Sequence, residues 1–307
     1  MRLGVLDVGS NTVHLLVVDA RRGAHPWPAH SEKAVLRLAE QLDRRGRITP
    51  EGVRRLVEAV AGARAAADRL GVAELLAFAT SAVRDAANGA EVLQRVREVT
   101  GVDLQTLPGE DEARLTFLAV RRWFGWSAGT LLVIDIGGGS LEIALGPDED
   151  PELAFSLPLG AGRLTREYLR DRDPPSAAAV AALTSHVEAT LEPVLEKVSQ
   201  AGWDRPVATS RTARSLARLT GAAPSAAGLW VPRQLPATGL RQVLGFIRHI
   251  RSAELAEMEG VGAERADQLL AGAVVADAVM RRLGIEALDL CPWALREGMI
   301  LRRLDRS

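Results

Sequence analysis

The chain has 307 residues, of which 38 are Lys or Arg and 39 are Asp or Glu, so its formal net charge is −1. This length predicts two domains that each bury a core, and a hydrophobic content of 47% excludes a mainly disordered chain. The balanced charge argues against a nonspecific DNA-binding protein that holds its polyanion through a broad basic surface. The single cysteine, Cys291, excludes an internal disulfide, and we expect a reducing, cytoplasmic location.

Strand and helix signals alternate along the first 125 residues. Turn-forming residues between Asp7 and Asn11 separate two apolar strands. Thr49 and Pro50 have the cap and first-turn chemistry of a helix start, and Asn88 is predicted to cap another helix. In chain order, the predicted elements are strands at 3–6, 13–18 and 34–38, a helix at 50–70, a strand at 75–79, a helix at 89–100, a strand at 104–107 and a helix at 110–124.

A second series of elements follows the glycine-containing stretch 125–129, which is the best candidate for a domain boundary. Mixed strands and helices on this scale predict an α/β fold with an N-terminal domain over 1–125 and a C-terminal domain over 126–307. The last helix is expected either within the second domain or packed back on the first. The predicted elements are strands at 131–136, 141–145 and 152–157, helices at 163–169 and 176–199, a strand at 206–208, helices at 212–219, 239–248 and 263–283, a strand at 287–290 and a helix at 293–304.

The chain contains an internal repeat. Residues 3–12 (LGVLDVGSNT) align with residues 131–140 (LLVIDIGGGS), which places Asp7 on Asp135 and Gly9 on Gly137. Each copy is an apolar strand with an aspartate near its end, a glycine turn, a hydroxyl residue and a second strand. Two such hairpins at the starts of two domain-sized halves indicate a duplication rather than two unrelated turns.

The repeated hairpin suits a phosphate ligand. A glycine turn lets backbone N–H groups approach an anion closely, and a hydroxyl adds one more donor. The aspartate cannot contact phosphate directly, so it suits a divalent cation or the water shell of that cation. These features outline a phosphoryl-transfer site.

The doubled hairpin resembles the superfamily of sugar kinases, actin and heat-shock chaperone ATPases. Four motifs together resemble the exopolyphosphatase/guanosine pentaphosphate phosphatase family: DVGSNT at 7–12, EARL at 112–115, DIGGGSLE at 135–142 and LREG at 295–298. The resemblance covers nearly the whole chain and implies two duplicated actin-like (ribonuclease H-like) lobes with an interdomain cleft. Longer family members carry additional C-terminal domains, and this chain resembles the short, two-domain members.

The resemblance also implies roles for four acidic residues. Glu112 matches the family's catalytic acid, which acts as the general base on the attacking water. Taken without that match, Glu112 is better explained as a solvated acid in the first turn of a helix. Asp135 and Glu142 match the family's magnesium-site acids. Asp7 is either a further residue of the metal site or a turn cap.

The glycine turns and the family resemblance together predict which residues bind phosphate. Arg84 matches a phosphate-contacting arginine, and Arg265 matches a helix-start motif of the second lobe. For Arg84, an ordinary surface arginine is the alternative in this arginine-rich chain, whereas a helix N-terminus at Arg265 could itself receive an anion. The predicted set is Gly9, Ser10, Asn11, Thr12, Arg84, Gly137, Gly138, Gly139, Ser140, Arg211 and Arg265.

One segment departs from the family pattern. Where the family has a Gly-x-Ser-Gly-Thr-like turn, residues 208–212 read Ala-Thr-Ser-Arg-Thr. The side chains of Ala208 and Arg211 should restrict the approach of a nucleotide. We therefore expect inorganic polyphosphate to be preferred over nucleotides, with Arg211 reaching the phosphate chain.

These features predict a cytoplasmic exopolyphosphatase that depends on Mg²⁺, with Mn²⁺ as the alternative metal. It should release terminal orthophosphate, from short chains in particular, by in-line attack of water. The alternatives are a guanosine pentaphosphate 5′-phosphohydrolase, a kinase, and a non-catalytic sensor of polyphosphate or nucleotide. The expected partners are inorganic polyphosphate and a second copy of the chain, with no nucleic acid and no membrane.

Overall fold

A computed structural model describes residues 1–21, 23 and 25–306, and only the backbone of Ala39. The chain divides into two units, one formed by Met1–Ala119 with Leu295–Ser307 and the other by Val120–Ala294. The last helix is thus grouped with the first unit. The domain boundary expected after residue 125 remains a prediction.

Strands and helices alternate along the chain, as its hydrophobic patterning indicates. The elements that begin before the division at Ala119 are β1 (Arg2–Val8), β2 (Thr12–Asp19), β3 (Pro28–Val35), α1 (Pro50–Arg69), β4 (Glu74–Ala79), α2 (Ser81–Arg84), α3 (Gly89–Thr100), β5 (Gln105–Thr106) and α4 (Gly109–Phe124). They continue with β6 (Leu131–Ile136), β7 (Leu141–Gly146), β8 (Leu153–Leu157), α5 (Ala161–Leu164), α6 (Ala177–Ala201), β9 (Arg205–Ala208), α7 (Arg211–Leu219), β10 (Gln234–Pro236), α8 (Ala237–Ile247), α9 (Ser252–Ala256), α10 (Leu269–Leu283), β11 (Ala287–Leu290) and α11 (Leu295–Asp305). A π-helix, Thr165–Leu169, continues α5.

The first unit is a five-stranded sheet in the order β3-β2-β1-β4-β5. β1 and β2 are antiparallel, whereas β4 runs parallel to β1. One face of the sheet packs against a core that includes Leu56 and Val60 of α1. The other face packs against α11, whose Ile300 and Leu304 contact a cluster that contains Leu3 of β1. Because both faces are covered, β1 is apolar along nearly its whole length rather than alternating.

The second unit repeats this arrangement in a six-stranded sheet with the order β10-β11-β9-β6-β7-β8. β6, β7 and β8 form an antiparallel meander, and β9 pairs parallel to β6. The core includes residues of α6 and α10, such as Leu191 and Val275. The duplication extends to strand register, since Asp7 pairs with His14 in the first sheet and Asp135 pairs with Glu142 in the second. The mixed α/β fold with two duplicated lobes is therefore confirmed.

Some details differ from the sequence prediction. The Asn88 side chain does not cap α3; its Oδ1 instead accepts from the Ile48 amide at 2.8 Å, and its Nδ2 donates to the Ile48 carbonyl at 3.0 Å. The helix predicted over 263–283 begins at Leu269, after a 3₁₀ turn at Ala266–Gln268. The elements β10, α2 and α9 were not predicted, because each is too short to show a periodic pattern.

An aromatic cluster lies on the second unit. The rings of Trp123 and Trp230 stack with centroids 4.6 Å apart, and Trp293 meets Trp123 edge-on at 5.3 Å. Trp230 nevertheless has 62% of its surface exposed. Within the described part of the chain, no helix combines the length and apolar character that crossing a membrane requires.

Candidate active site

The turn of the first hairpin is closed by its own backbone. The Gly9 amide donates to the Thr12 carbonyl at 3.0 Å. Ser10 and Asn11 at its tip are buried, and the Ser10 hydroxyl lies 3.3 Å from the Ser81 hydroxyl at the start of α2. A Cβ atom added at Gly9 would meet only ordinary contacts, the nearest at 3.6 Å. The fold itself therefore does not require glycine here, which is consistent with a position kept open for a ligand.

The turn of the second hairpin is held by hydrogen bonds from the backbone of α5. The Gly137 amide donates to the Ser140 carbonyl at 2.9 Å, as in the first copy. The carbonyls of Gly137 and Gly138 accept from the amides of Ala161 and Arg163, each at 2.9 Å. These bonds fix the carbonyl groups of the turn toward α5. In the described part of the chain, the amides of Gly138, Gly139 and Ser140 donate to no main-chain carbonyl.

Close packing against this turn depends on Gly160. A Cβ atom at Gly160 would lie 2.2 Å from the carbonyl carbon of Gly139 and 2.3 Å from the Ser140 nitrogen. The segment before α5 therefore lies directly on the backbone of the turn. A rigid turn in which the amides of Gly138, Gly139 and Ser140 donate to no described main-chain carbonyl is a suitable site for a phosphate group.

Two carboxylates meet across the second hairpin. Asp135 on β6 and Glu142 on β7 are register partners, so their side chains project from the same face of the sheet. The Ser156 hydroxyl donates to Glu142 Oε1 at 2.9 Å. Like charges placed directly opposite each other destabilise a sheet, and a bound cation removes that cost. Mg²⁺ commonly uses one or two carboxylates together with substrate phosphates, so these residues fit the ion.

The first unit brings Glu112 and Arg84 together. Glu112 lies in the first turn of α4 and is only 6% exposed. Arg84 Nη1 donates to Glu112 Oε1 and, at 2.9 Å, to the Leu107 carbonyl, while Nε donates to Asp85 at 3.0 Å. The exposed first-turn acid considered from the sequence is thus not what the fold contains. Glu112 is instead a buried carboxylate that is paired with a cation.

Neighbouring carboxylates favour the charged form of Arg84. Burial alone lowers the pKa of Arg84, but the charges of Glu112 and Asp85 outweigh it and hold the pKa above its ordinary value. Within the described residues, Arg84 Nη2 makes no hydrogen bond. The arginine can therefore position Glu112 and still donate to a phosphate oxygen.

Asp7 lies beside an arginine that the sequence analysis did not assign. Its Oδ2 is 3.5 Å from Nη1 of Arg296 in α11. Arg296 belongs to the LREG motif, which was the available signal for it. The pairing gives Asp7 a cationic neighbour within the first unit.

The remaining predicted ligands, Arg211 and Arg265, lie together in the second unit. Arg211 begins α7 and contacts Glu264 at 3.2 Å. Arg265 does not begin a helix, as its motif suggested, but precedes the 3₁₀ turn before α10. Burial, together with the charges of Arg211 and Arg214, lowers the pKa of Arg265 to about 10. Among the described residues, no group of three or more acidic, His or Cys side chains could hold a metal.

Comparison with known proteins supplies a family for this arrangement. The profile of the Ppx/GppA phosphatase family matches residues 16–307. The chain belongs to this family. It is 61% identical over 306 residues to Exopolyphosphatase 1 of Mycobacterium tuberculosis, a match that covers 99% of this chain and 89% of the relative. Exopolyphosphatase 1 of Mycobacterium leprae is 60% identical, with coverage of 99% and 90%.

Solved structures of Ppx/GppA family proteins have the same fold. An exopolyphosphatase from Cytophaga hutchinsonii superposes with a TM-score of 0.90 at 23% identity, covering 100% of this chain and 98% of that one. At this identity the comparison establishes the fold of the two lobes. It is the family match that makes this chain a phosphatase-family member.

Proposed function

We propose that this Ppx/GppA protein is an exopolyphosphatase that releases terminal orthophosphate from inorganic polyphosphate. The observation that carries the proposal is the 61% identity, over nearly the whole chain, to proteins named for that activity. Buried Glu112, paired with the half-buried Arg84, and the two glycine turns offer the chemistry that this reaction needs.

In the proposed mechanism, Glu112 accepts a proton from the attacking water as that water approaches the terminal phosphorus in line with the leaving oxygen. Water is a poor nucleophile, and a positioned base typically accelerates such steps about 10²- to 10⁴-fold. Arg84 orients the carboxylate through Nη1 and donates to a phosphate oxygen through Nη2. Within the first unit, backbone amides and hydroxyls of the turn at 9–12 bind other phosphate oxygens, and in the second unit those of the turn at 137–140 are a further phosphate-binding group.

We propose that Asp135 and Glu142 hold Mg²⁺, with Asp7 contributing to the electrostatics of the first hairpin. The ion would neutralise charge on the phosphate oxygens. Ser156 orients Glu142 through the hydrogen bond to Oε1. Homodimer formation and a cytoplasmic location remain predictions from the sequence.

The test of the proposed function is phosphate release from size-defined polyphosphates and from nucleotides, with and without Mg²⁺. Replacing Glu112 by Gln should lower the turnover number at least about a hundredfold, because the amide cannot accept the proton. The side chain keeps its shape, so circular dichroism should show a folded protein.

The matched control is Glu110→Gln, which removes one charge from the exposed first turn of the same helix. Its turnover should stay within about twofold of the wild type, because surface substitutions seldom disturb a site. Wild-type turnover in Glu112→Gln would contradict the base assignment, and nucleotide hydrolysis without polyphosphate hydrolysis would contradict the substrate.

A further inference from the structure

The second unit contains a cavity of about 200 Å³ beside α7. Five arginines and two glutamates line it, an excess of three positive charges in a chain whose net charge is −1. Arg211, Arg214 and Arg218 are three and four residues apart, so they project from one face of α7. The two glutamates of the lining do not balance the positive charge of its five guanidinium groups.

Two of the five arginines are used to build the cavity wall. Arg218 pairs with Glu259 and donates to the Ala222 carbonyl at 2.9 Å. Arg233 donates to four carbonyl oxygens between residues 223 and 231, at 2.7 to 2.9 Å. The loop after α7 is thereby fixed in place, and both guanidinium groups are largely occupied.

Among the other three arginines, the charge of Arg265 interacts unfavourably with the charges of Arg211 and Arg214. Arg211 Nη1 forms an ion pair with Glu264 Oε1 at 3.2 Å. Arg265 Nε is buried and has no hydrogen-bond partner among the described residues. The lowered pKa of Arg265 reflects burial and the like charges of Arg211 and Arg214. Their mutual repulsion would be relieved by an anion in the cavity.

The topology puts this cavity next to the second glycine turn. β6 and β9 are parallel and pair Ile134 with Ala208, so their carboxyl ends lie at the same sheet edge. Asp135 follows Ile134, and the Thr209 amide donates to the Ile134 carbonyl at 3.2 Å just before α7 begins. A phosphate chain bound by one end at the turn of residues 137–140 would therefore extend toward the arginines of the same unit.

We propose that this cavity is a subsite for phosphate groups of the polyphosphate chain beyond the bond being broken, with Arg211, Arg214 and Arg265 as its ligands. The inference rests on the proposed function and adds Arg214 and the distal subsite to it. Guanidinium groups fork onto phosphate oxygens, and a row of three suits a repeating anion. No aromatic side chain belongs to the described lining, so nothing there offers a ring for a nucleotide base to stack on.

The test compares Arg214→Gln with Arg241→Gln, which removes the same charge from an exposed position on α8. Steady-state kinetics on tripolyphosphate and on a longer size-defined chain would be measured for both. Loss of a charged hydrogen-bonding partner should raise KM for the longer chain about tenfold or more, with a smaller rise for tripolyphosphate. Arg241→Gln should match the wild type on both substrates.

Direct binding separates this inference from the proposed function. Calorimetry in a Glu112→Gln background prevents turnover, so tripolyphosphate, a longer chain and ATP can be titrated in turn. Weaker binding of the inorganic chains on adding Arg214→Gln supports the subsite, even if the wild type releases no phosphate. Unchanged binding of both inorganic chains, an equal KM rise for every length, or a loss confined to ATP would overturn it.

Discussion

Arg121 is a charged side chain with 0% exposure. Its Nη1 donates to the Gly125 carbonyl at 3.1 Å, and its Nη2 donates to the carbonyls of Gly129 and Gly146 at 2.7 and 3.0 Å. Burial lowers the pKa of Arg121, because the charged guanidinium group loses its hydration when it leaves water. The carbonyl dipoles offset that loss of hydration. The same hydrogen bonds fix the segment that leads into β6.

Replacing Arg121 by Met should destabilise the protein by about 3 kcal/mol or more, since one buried and two partly buried carbonyls lose their donor. Denaturant unfolding would measure the change. Arg122→Met is the neighbouring control: Arg122 pairs with Glu149 at 2.7 Å, but both side chains are partly exposed. That pair should contribute no more than about 1 kcal/mol. Equal effects of the two substitutions would refute the structural role of Arg121.

Individual side chains are where sequence-based prediction is weakest. Asn88 stands at the start of α3, where an asparagine typically caps, yet its amide group bonds to both backbone groups of Ile48, forty residues away in sequence. A local rule cannot anticipate a partner that only the folded chain supplies. Glu112 could be singled out by its motif, but its burial and its pairing with Arg84 depend on the same kind of distant contact.

Among elements, α11 shows how one missing side chain permits packing. Gly298 faces α4, and a Cβ atom there would lie 1.9 Å from the Leu115 carbonyl oxygen. The two helices of the first unit can therefore approach only if residue 298 is glycine. This contact packs α11, the last helix, closely against α4 in the first unit.

Replacing Gly298 by Ala should cost about 1–3 kcal/mol of stability, because the helices must separate to admit the methyl group. Thermal or denaturant unfolding would measure it. Gly62→Ala in the middle of α1 is the control, since nothing lies within 4 Å of its added Cβ. There alanine should stabilise by about 0.5–1 kcal/mol through helix propensity. A neutral or stabilising Gly298→Ala would contradict the close contact.

Long, periodic elements such as α1 were predictable to within a residue or two. The 3₁₀ turn before α10 was not, because the apolar pattern runs on through it while the backbone at Arg265 is not helical. The arginines of α7 were visible at helical spacing in the sequence, but the cavity depends on a loop and on Glu259 and Glu264 from a later segment.

At the scale of the whole molecule, duplication has produced two hairpins with different chemistry. The same register position pairs Asp7 with His14 in one sheet and Asp135 with Glu142 in the other. Asp7 already has Arg296 as a cationic neighbour, whereas the second hairpin places two acids opposite each other. The repeat was predictable from the sequence; the different partners of its two aspartates were not, because Arg296 is nearly the whole chain away.

This asymmetry predicts which copy governs the metal requirement. Asp135→Asn should raise the Mg²⁺ concentration for half-maximal phosphate release about tenfold or more, because one of two proposed ligands loses its charge. Asp7→Asn should lower activity with a smaller shift in that concentration. Magnesium titrations of both variants would compare them directly. A larger shift from Asp7→Asn would place the ion with the first hairpin instead.

The stacked indoles of Trp123 and Trp230 give the protein an intrinsic optical signal. Two indoles 4.6 Å apart couple their electronic transitions, so the pair should contribute a distinct band to the near-ultraviolet circular dichroism spectrum. Trp230 belongs to the loop that Arg233 fixes through its carbonyls. Movement of that loop away from Trp123 would weaken the band, so the order of one cavity wall can be followed in unlabelled protein.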